Sequence, residues 1–235
     1  MRKTPKTSDK AVVLLSGGID SAVTLYLVLK YGFRAFVLIF DYRQRHKKEI
    51  SYAVRNAKNL AVPFEVIRIS LPWGGSALTD RSIQIPEKQA RKAIPVTYVP
   101  ARNIIFLSFS VSFAEAIGAE KIFIGAHIQD YSGYPDCRPD FLTSFQNAAN
   151  LGIKNKGIEI VAPLLKKRKS EIIELGLSLG VDFRNTWSCY RGGRTPCGKC
   201  DSCRYRLQGF AQAKVKDPLL SRENENYRES ETNFR

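Results

Sequence analysis

The chain has little of what marks membrane, secreted or fibrous proteins. No apolar run approaches the roughly 18 residues that a membrane-spanning helix needs. The basic N-terminal stretch leads into a short apolar run rather than into a signal peptide. The sequence also has no internal repeat and no low-complexity tract. Since 44% of the 235 residues are hydrophobic and 25% are charged, we expect a folded protein. The lack of a membrane-spanning run and of a signal peptide leads us to expect it in the cytoplasm.

Two common phosphate-binding motifs are also missing, although a loop of the phosphate-binding kind is present. The chain has neither GxxxxGK[ST] nor GxGxxG. Instead, the hexapeptide SGGIDS at residues 16–21 separates the apolar run 11–15 from a helical pattern. A strand–turn–helix of this kind directs backbone N–H groups and a helix N-terminus at an anion. The carboxylate of Asp20 would repel a phosphate unless a cation lies between them, so the loop suggests Mg²⁺ with a polyphosphate.

Cysteine is scarce, and four of the five cysteines lie in one short segment. Seven residues separate Cys189 from Cys197, and two residues separate each later pair, Cys197 to Cys200 and Cys200 to Cys203. In a chain without a signal peptide, this spacing predicts a metal site rather than disulfides. Four thiolates suit a closed, structural zinc site. An iron–sulfur cluster is the alternative.

Acidic residues are few relative to basic ones, with 22 Asp and Glu against 37 Lys and Arg and a net charge of +15. Such a charge favours polyanionic partners, such as nucleotides or RNA. However, the basic residues are spread along the chain, which equally fits a charge that serves solubility. The densest run, residues 166–169, precedes a predicted helix.

Strand and helix patterns alternate along residues 11–130, which predicts an α/β domain with a parallel sheet. Ligands in such sheets bind beyond the carboxyl ends of the strands, where Asp41 and His127 are expected beside the 16–21 loop. Residues 71–100 are long for a connection, and a lid, an oligomer contact or a plain insertion would each explain them. We predict strands at 11–15, 35–40, 64–69, 121–125 and 158–162, and helices at 21–31, 47–60, 103–117, 140–150, 170–180 and 203–213.

Three segments follow from this pattern. Residues 1–185 form the predicted nucleotide-binding domain, and residues 186–215 form a metal-binding segment with a C-terminal helix. Residues 216–235 form a polar tail. From residue 214 onward the chain has little to bury, so we expect it to be disordered or loosely attached.

Residues 130–140 are dense in groups that form hydrogen bonds, with two tyrosines, three carboxylates and one arginine. They follow a predicted strand, at the edge of the sheet where a substrate should lie. Tyrosine rings can stack on a planar heterocycle, and carboxylates can accept hydrogen bonds from its N–H groups. Arg138 can pair with a substrate carboxylate. A purely structural turn is the alternative.

Several of these segments resemble known families. The 16–21 loop resembles that of the PP-loop ATP pyrophosphatases, which adenylate a substrate oxygen. The segments RH at 45–46, VPARN at 99–103, DYSGYPDCR at 130–138, TWSCY at 186–190 and CGKCDSC at 197–203 resemble the 7-cyano-7-deazaguanine synthase family, QueC. This resemblance covers about residues 11–218. It implies a Rossmann-like parallel sheet of the PP-loop/HUP type with a small zinc-binding C-terminal segment.

The resemblance implies an ATP-dependent C–N ligase of queuosine or archaeosine biosynthesis. Such an enzyme converts 7-carboxy-7-deazaguanine and ammonia into the 7-nitrile through an adenylated acid and an amide. The implied partners are Mg²⁺ with ATP, one structural zinc per chain and a second copy of the chain; no membrane or nucleic acid is required. The alternative is a tRNA-modifying PP-loop enzyme, such as a thiolase, which would need Cys137 as a reactive cysteine.

Residue roles also follow from the resemblance. The chain departs from the family at Arg43 and Ala101, where glycine is usual, and at His127, where asparagine is common. Arg43 puts a close approach of the backbone in doubt, and it would offer a phosphate contact instead. The implied catalytic residues are Asp20 and Arg102, with Arg102 stabilising charge on the acyl-adenylate unless it belongs to a surface ion pair. The implied ATP-binding residues are Leu15, Ser16, Gly17, Gly18, Ile19, Asp20 and Ser21. The implied substrate-binding residues are Asp130, Tyr134, Asp136 and Arg138, and the zinc ligands are Cys189, Cys197, Cys200 and Cys203.

Overall fold

A parallel five-stranded sheet forms the centre of the protein. The computed structural model describes residues 9–87, 94–127, 133–154 and 157–219. The sheet has the order β3-β2-β1-β4-β5, and each neighbouring pair is parallel. The strand order therefore reverses between β1 and β4, which opens a crevice at their carboxyl ends. The strands are β1 (Lys10–Leu14), β2 (Arg34–Asp41), β3 (Phe64–Arg68), β4 (Lys121–Phe123) and β5 (Glu159–Val161).

Among the described residues, six α-helices pack on the faces of the sheet and against one another. They are α1 (Ile19–Lys30), α2 (Lys48–Asn59), α3 (Arg102–Ile117), α4 (Pro139–Gly152), α5 (Lys169–Ser178) and α6 (Asp201–Gln212). No helix among the described residues is long and apolar enough to cross a membrane.

The alternation of side chains along the strands decides which helix covers which face. Val12 of β1 packs in the cluster that contains Leu107 of α3 and Leu142 of α4. Its neighbour Val13 points to the other face and packs in the cluster with Leu25 of α1 and residues of α2. Residues of α1 form a third cluster with α5 and α6. The sheet is therefore buried on both faces.

The long connection between β3 and α3 is part of the core where the structure describes it. Leu71, Leu78 and Val99 pack in the cluster beneath α3, while Ala77 and Ile85 pack beside the cysteines. The described parts of the connection, residues 71–87 and 94–100, therefore pack against both the core beneath α3 and the cysteine segment.

A buried ion pair joins α6 to the chain on both sides of it. The Nε and Nη2 groups of Arg206 donate to the carboxylate of Asp217 at 2.6 and 2.8 Å. The remaining guanidinium donors reach Thr186 Oγ1 at 2.8 Å, Thr186 O at 3.2 Å and Phe183 O at 3.1 Å. Both charged side chains are only 4% exposed. Every direction of the guanidinium is thus used, as a buried arginine requires.

The predicted α/β class, strands and helices are confirmed, with element ends displaced by no more than two residues. The expectation of a disordered tail from residue 214 was wrong for residues 214–219. Asp217 is buried because it supplies the carboxylate for Arg206, and Leu219 is buried beside the cysteines. Residues 220–235 lie outside the described residues, and the division into three segments stays a prediction.

Asp217→Ala is expected to lower the free energy of unfolding by about 3–5 kcal/mol, because it leaves the buried guanidinium of Arg206 without its carboxylate. Urea unfolding at pH 7, followed by circular dichroism, measures this loss. The matched control is Glu159→Ala, which breaks the exposed ion pair with Lys121 and should cost under about 1 kcal/mol. Equal losses in the two variants would show that burial adds nothing to the Arg206–Asp217 pair.

Candidate active site

A cavity of about 360 Å³ opens at the carboxyl ends of β1, β2 and β4. The loop after β1 forms one wall, and the first residues of α3 form another. Gly125, Ala126 and His127 follow β4 and complete the rim together with Trp187 and residues of α6. The cavity therefore lies where a doubly wound sheet places its ligand.

The 16–21 loop is held by close backbone contacts. Gly17 has a φ of +83°, and a Cβ there would lie 2.1 Å from the carbonyl oxygen of Glu49, so only glycine fits. On the opposite side, a Cβ on Gly125 would lie 3.0 Å from the backbone of Asp20. The backbone N–H of Trp187 donates to Gly17 O at 2.8 Å. The loop is therefore fixed from three sides before any ligand binds.

Hydroxyl groups shape the inside of this loop. Ser16 Oγ and Ser21 Oγ lie 3.0 Å apart, and Ser16 Oγ accepts the Gly18 N–H at 3.3 Å. Gly18 is the N-cap of α1 and has no side chain with which to cap it. The first turn of α1 lines the cavity, so its N–H groups and the helix dipole are available to an anion there.

Asp20 has a cationic partner that the sequence analysis missed. Lys169 Nζ donates to both carboxylate oxygens, at 2.6 and 2.8 Å, and lies 3.1 Å from His127 Nε2. Burial alone would raise the pKa of Asp20, but Lys169 and then His127 outweigh it and hold this pKa well below its ordinary value. The carboxylate is thus neutralised by a lysine 149 residues away, whose only sequence signal was the basic run at 166–169.

Arg102 lines the cavity rather than joining a surface ion pair. Its Nη1 donates to the hydroxyl of Tyr42 at 3.4 Å, and its guanidinium lies 5.9 Å from the centre of the Tyr42 ring. Burial raises the pKa of Tyr42 to about 12, so the phenol stays protonated. The predicted catalytic arginine therefore faces the same space as the 16–21 loop.

The predicted substrate-binding residues are separated by the structure. Asp130 lies outside the described residues. Tyr134 lines the cavity, and its hydroxyl is 3.1 Å from Thr97 Oγ1. Asp136 is buried and accepts the Asn103 N–H at 2.9 Å, because the start of α3 has no other side-chain cap. Arg138 is exposed at the start of α4. Substrate contact by Asp136 and Arg138 stays a prediction that this geometry does not support.

Cys137 is the fifth cysteine, and it lies apart from the other four. It is buried and lines the cavity. Its Sγ accepts a hydrogen bond from Asn103 Nδ2 at 3.1 Å. The thiol is therefore held beside the N-terminus of α3.

The other four cysteines converge. Their Sγ atoms all lie within 4.8 Å of one another, and those of Cys197 and Cys203 are 3.9 Å apart. Sulfurs bound at about 2.3 Å to a tetrahedral metal would be roughly 3.8 Å apart, so the cluster could hold a metal ion. Backbone N–H groups of Cys197 and Cys200 donate to Cys189 Sγ and Cys197 Sγ, which stabilises thiolates.

Both departures from glycine fall at left-handed backbone positions. Arg43 has a φ of +60° and Ala101 a φ of +54°. Glycine adopts this region freely, whereas a side chain there costs about 1–2 kcal/mol. The Arg43 side chain is exposed, and its backbone N–H donates to Asp41 Oδ1 at 3.2 Å. The turn expected of a glycine therefore forms with arginine in its place.

Comparison with known proteins identifies relatives along nearly the whole chain. Residues 10–214 match the model of the family described as queuosine biosynthesis protein QueC. A 7-cyano-7-deazaguanine synthase of Nostoc punctiforme is 49% identical over 221 residues, which cover 90% of this chain and 99% of the relative. That of Clostridium kluyveri is 51% identical over 218 residues, with coverages of 89% and 96%.

A solved structure shows the same fold. The NMN synthetase of Francisella tularensis is similar with a TM-score of 0.51 and 16% sequence identity, covering 89% of this chain and 79% of that one. At this identity the likeness shows the fold alone.

Ala101→Gly is expected to raise the free energy of unfolding by about 1 kcal/mol, because it relieves the left-handed backbone before α3. Thermal or urea unfolding measures the change. The control is Ala116→Gly, at an exposed position inside α3, which should lower the free energy of unfolding by about 1 kcal/mol. A loss of stability at both positions would contradict the strain assigned to Ala101.

Proposed function

Because the chain belongs to the QueC family, we propose that it is an ATP-dependent enzyme that makes 7-cyano-7-deazaguanine. Its substrates are 7-carboxy-7-deazaguanine, ammonia and ATP. The observation that carries the proposal is that one cavity joins the 16–21 loop to Arg102 and Tyr134. A nucleotide and a planar acceptor would meet there in one enclosed space.

The 16–21 loop and the first turn of α1 are suited to hold the ATP phosphates. Their N–H and hydroxyl groups act by position and charge, which is what an in-line attack on the α-phosphate needs. Lys169 adds a buried positive charge beside Asp20. Mg²⁺ bound with ATP would supply further positive charge at the phosphates.

The reaction uses this cavity twice. The substrate carboxylate attacks the α-phosphate of ATP and becomes an acyl-adenylate, which ammonia converts into an amide. The amide oxygen attacks a second ATP, and loss of AMP leaves the nitrile. Arg102 would stabilise negative charge that develops on the adenylated group, and Tyr134 would contact the deazaguanine ring.

The four clustered cysteines would hold one Zn²⁺ per chain. The ion would be structural, because four thiolates complete its coordination. The cluster lies in a buried apolar group with Trp187. The backbone N–H of Trp187 donates a hydrogen bond to the carbonyl oxygen of Gly17. Zinc would thereby support the 16–21 loop without taking part in the reaction.

A second copy of the chain is the expected protein partner. The outer side of α3 carries Ile104 and Phe109, which are 40% and 41% exposed. They are five positions apart, about 140° around the helix axis, so they do not form a single apolar patch, and the second copy is proposed from the family resemblance.

The protein incubated with ATP, ammonium and 7-carboxy-7-deazaguanine should form first the amide and then the nitrile, as followed by mass spectrometry. Gly17→Ala should abolish both products, because its Cβ would overlap the Glu49 carbonyl. Gly152→Ala is the matched control, since a Cβ at residue 152 meets nothing within 4 Å.

A folded protein that forms neither product would contradict the proposal. Cys137→Ala tests the thiolase alternative. Nitrile formation by this variant would exclude a reactive role for Cys137, whereas loss of turnover with intact folding would favour cysteine-dependent chemistry.

The purified protein should contain one zinc per chain by elemental analysis. Cys203→Ala should lose most of the zinc and lower the melting temperature by roughly 6–20 °C, as expected for a loss of about 3–5 kcal/mol in a chain of this size. Cys137→Ala is the control and should keep its zinc. Iron with inorganic sulfide in place of zinc would indicate an iron–sulfur cluster instead.

A further inference from the structure

The proposed reaction releases protons from nitrogen in both of its halves. Attack of ammonia on the acyl-adenylate forms a C–N bond, expels AMP and frees one proton. The adenylated amide, R–C(=NH₂⁺)–O–AMP, then loses two protons and AMP to leave R–C≡N. These steps need an acceptor close to the reacting carbon, and none of the roles assigned above supplies one.

Three carboxylates line the described part of the cavity, those of Asp20, Glu49 and Asp201. Asp20 is held by Lys169 at 2.6 and 2.8 Å and is strongly stabilised as the anion. A base that is already stabilised in its charged form accepts a proton poorly, which argues against Asp20. Asp201 and Glu49 each lie in the first turn of a helix, so the helix dipole acts on both. Asp201 follows directly on Cys200, however, in the segment of the clustered cysteines.

Glu49 lies between the nucleotide loop and Arg102. Its carbonyl oxygen is the atom that leaves no room for a Cβ on Gly17, so its backbone touches the 16–21 loop. Its carboxylate Oε1 accepts a hydrogen bond from Gln44 Nε2 at 3.1 Å. The titratable and charged groups that interact with it are Tyr42 and Arg102. The carboxylate thus lines the same cavity as the 16–21 loop and Arg102, the groups assigned above to the nucleotide and to the adenylated acid.

The surroundings of Glu49 favour proton uptake. Burial raises the pKa of its carboxyl, and the opposing effects of Arg102 and the Gln44 hydrogen bond do not cancel this rise. A carboxylate destabilised by burial binds a proton more readily than an exposed one. Gln44 restrains it without neutralising it.

We infer that Glu49 is the general base that removes protons from the attacking ammonia and from the adenylated amide, an inference that rests on the proposed function. In the first half, its carboxylate takes the proton as the C–N bond forms and AMP leaves. In the second, the protonated imidate nitrogen first loses one proton to solvent, and Glu49 takes the remaining N–H proton as the C–O bond to AMP breaks. The proton passes to solvent between the two.

Glu49→Gln separates this role from adenylation, because attack by the acid oxygen on ATP releases no proton from nitrogen. Exchange of labelled pyrophosphate into ATP, with the acid present and ammonia absent, should stay within about threefold of the unsubstituted protein. Amide and nitrile formation should fall by about 10²–10⁴-fold. Amide formation by this variant should rise with pH only as ammonium becomes free ammonia, whereas the unsubstituted protein also needs Glu49 deprotonated and should lose activity more steeply as pH falls through the raised pKa of Glu49.

Two further variants complete the test. Glu65→Gln alters an exposed glutamate of β3 outside the cavity and should leave every rate unchanged. Glu49→Asp keeps a carboxylate on a shorter side chain and should recover part of the amide formation lost with glutamine. It also serves if Glu49→Gln fails to fold.

Folding can be checked by thermal unfolding. Because the folded protein holds the Glu49 proton more tightly than the unfolded chain does, stability falls as pH rises through the raised pKa. Glu49→Gln removes this loss and should melt no lower than the unsubstituted protein at pH 8.

The outcomes distinguish the two proposals. Absence of pyrophosphate exchange in the unsubstituted protein would overturn the proposed function itself. Nitrile formation by Glu49→Gln at the unsubstituted rate would overturn the role of Glu49 alone. Joint loss of exchange and amide formation would assign Glu49 to nucleotide binding, and it too would overturn the inference, as would an Asp variant no more active than the Gln variant.

Discussion

The candidate site depends on backbone contacts that leave no room around the 16–21 loop. The carbonyl of Glu49 presses against Gly17, Gly125 presses against Asp20, and the Trp187 N–H holds the Gly17 carbonyl. These contacts come from three separate parts of the chain. A loop fixed in this way presents its N–H groups in one arrangement, so little ordering is left for the ligand to impose.

The sequence indicated this loop well because its information is local. Few local structures place glycines between an apolar strand and a helix. Even fewer kinds of site explain four closely spaced cysteines in such a chain. Parallel strands and their crossover helices were equally readable from periodicity. The element ends moved slightly, as helix termini commonly do.

The missed features depend on partners far along the chain. The sequence around Asp20 does not indicate that Lys169 is its ion-pair partner. Nor does the sequence around Asp217 indicate that its carboxylate pairs with the buried guanidinium of Arg206. The sequence could not show that Asp136 also accepts the Asn103 N–H, because local pattern does not reveal that α3 begins with an uncapped N–H beside it. The net positive charge of the chain likewise does not show which basic residues are exposed. Arg206 and Lys169 are buried partners of carboxylates rather than part of a surface that attracts polyanions.

The backbone hydrogen bond between Trp187 and Gly17 has a consequence for folding during synthesis. It closes a loop of about 170 residues, one of the costliest contacts for a chain to make early. The ribosome synthesises Gly17 long before Trp187, so the nascent chain contains the 16–21 loop before the hydrogen bond from Trp187 can form. The phosphate loop therefore reaches its final form only after α6, the last helix among the described residues, has left the ribosome and the cysteine segment has docked.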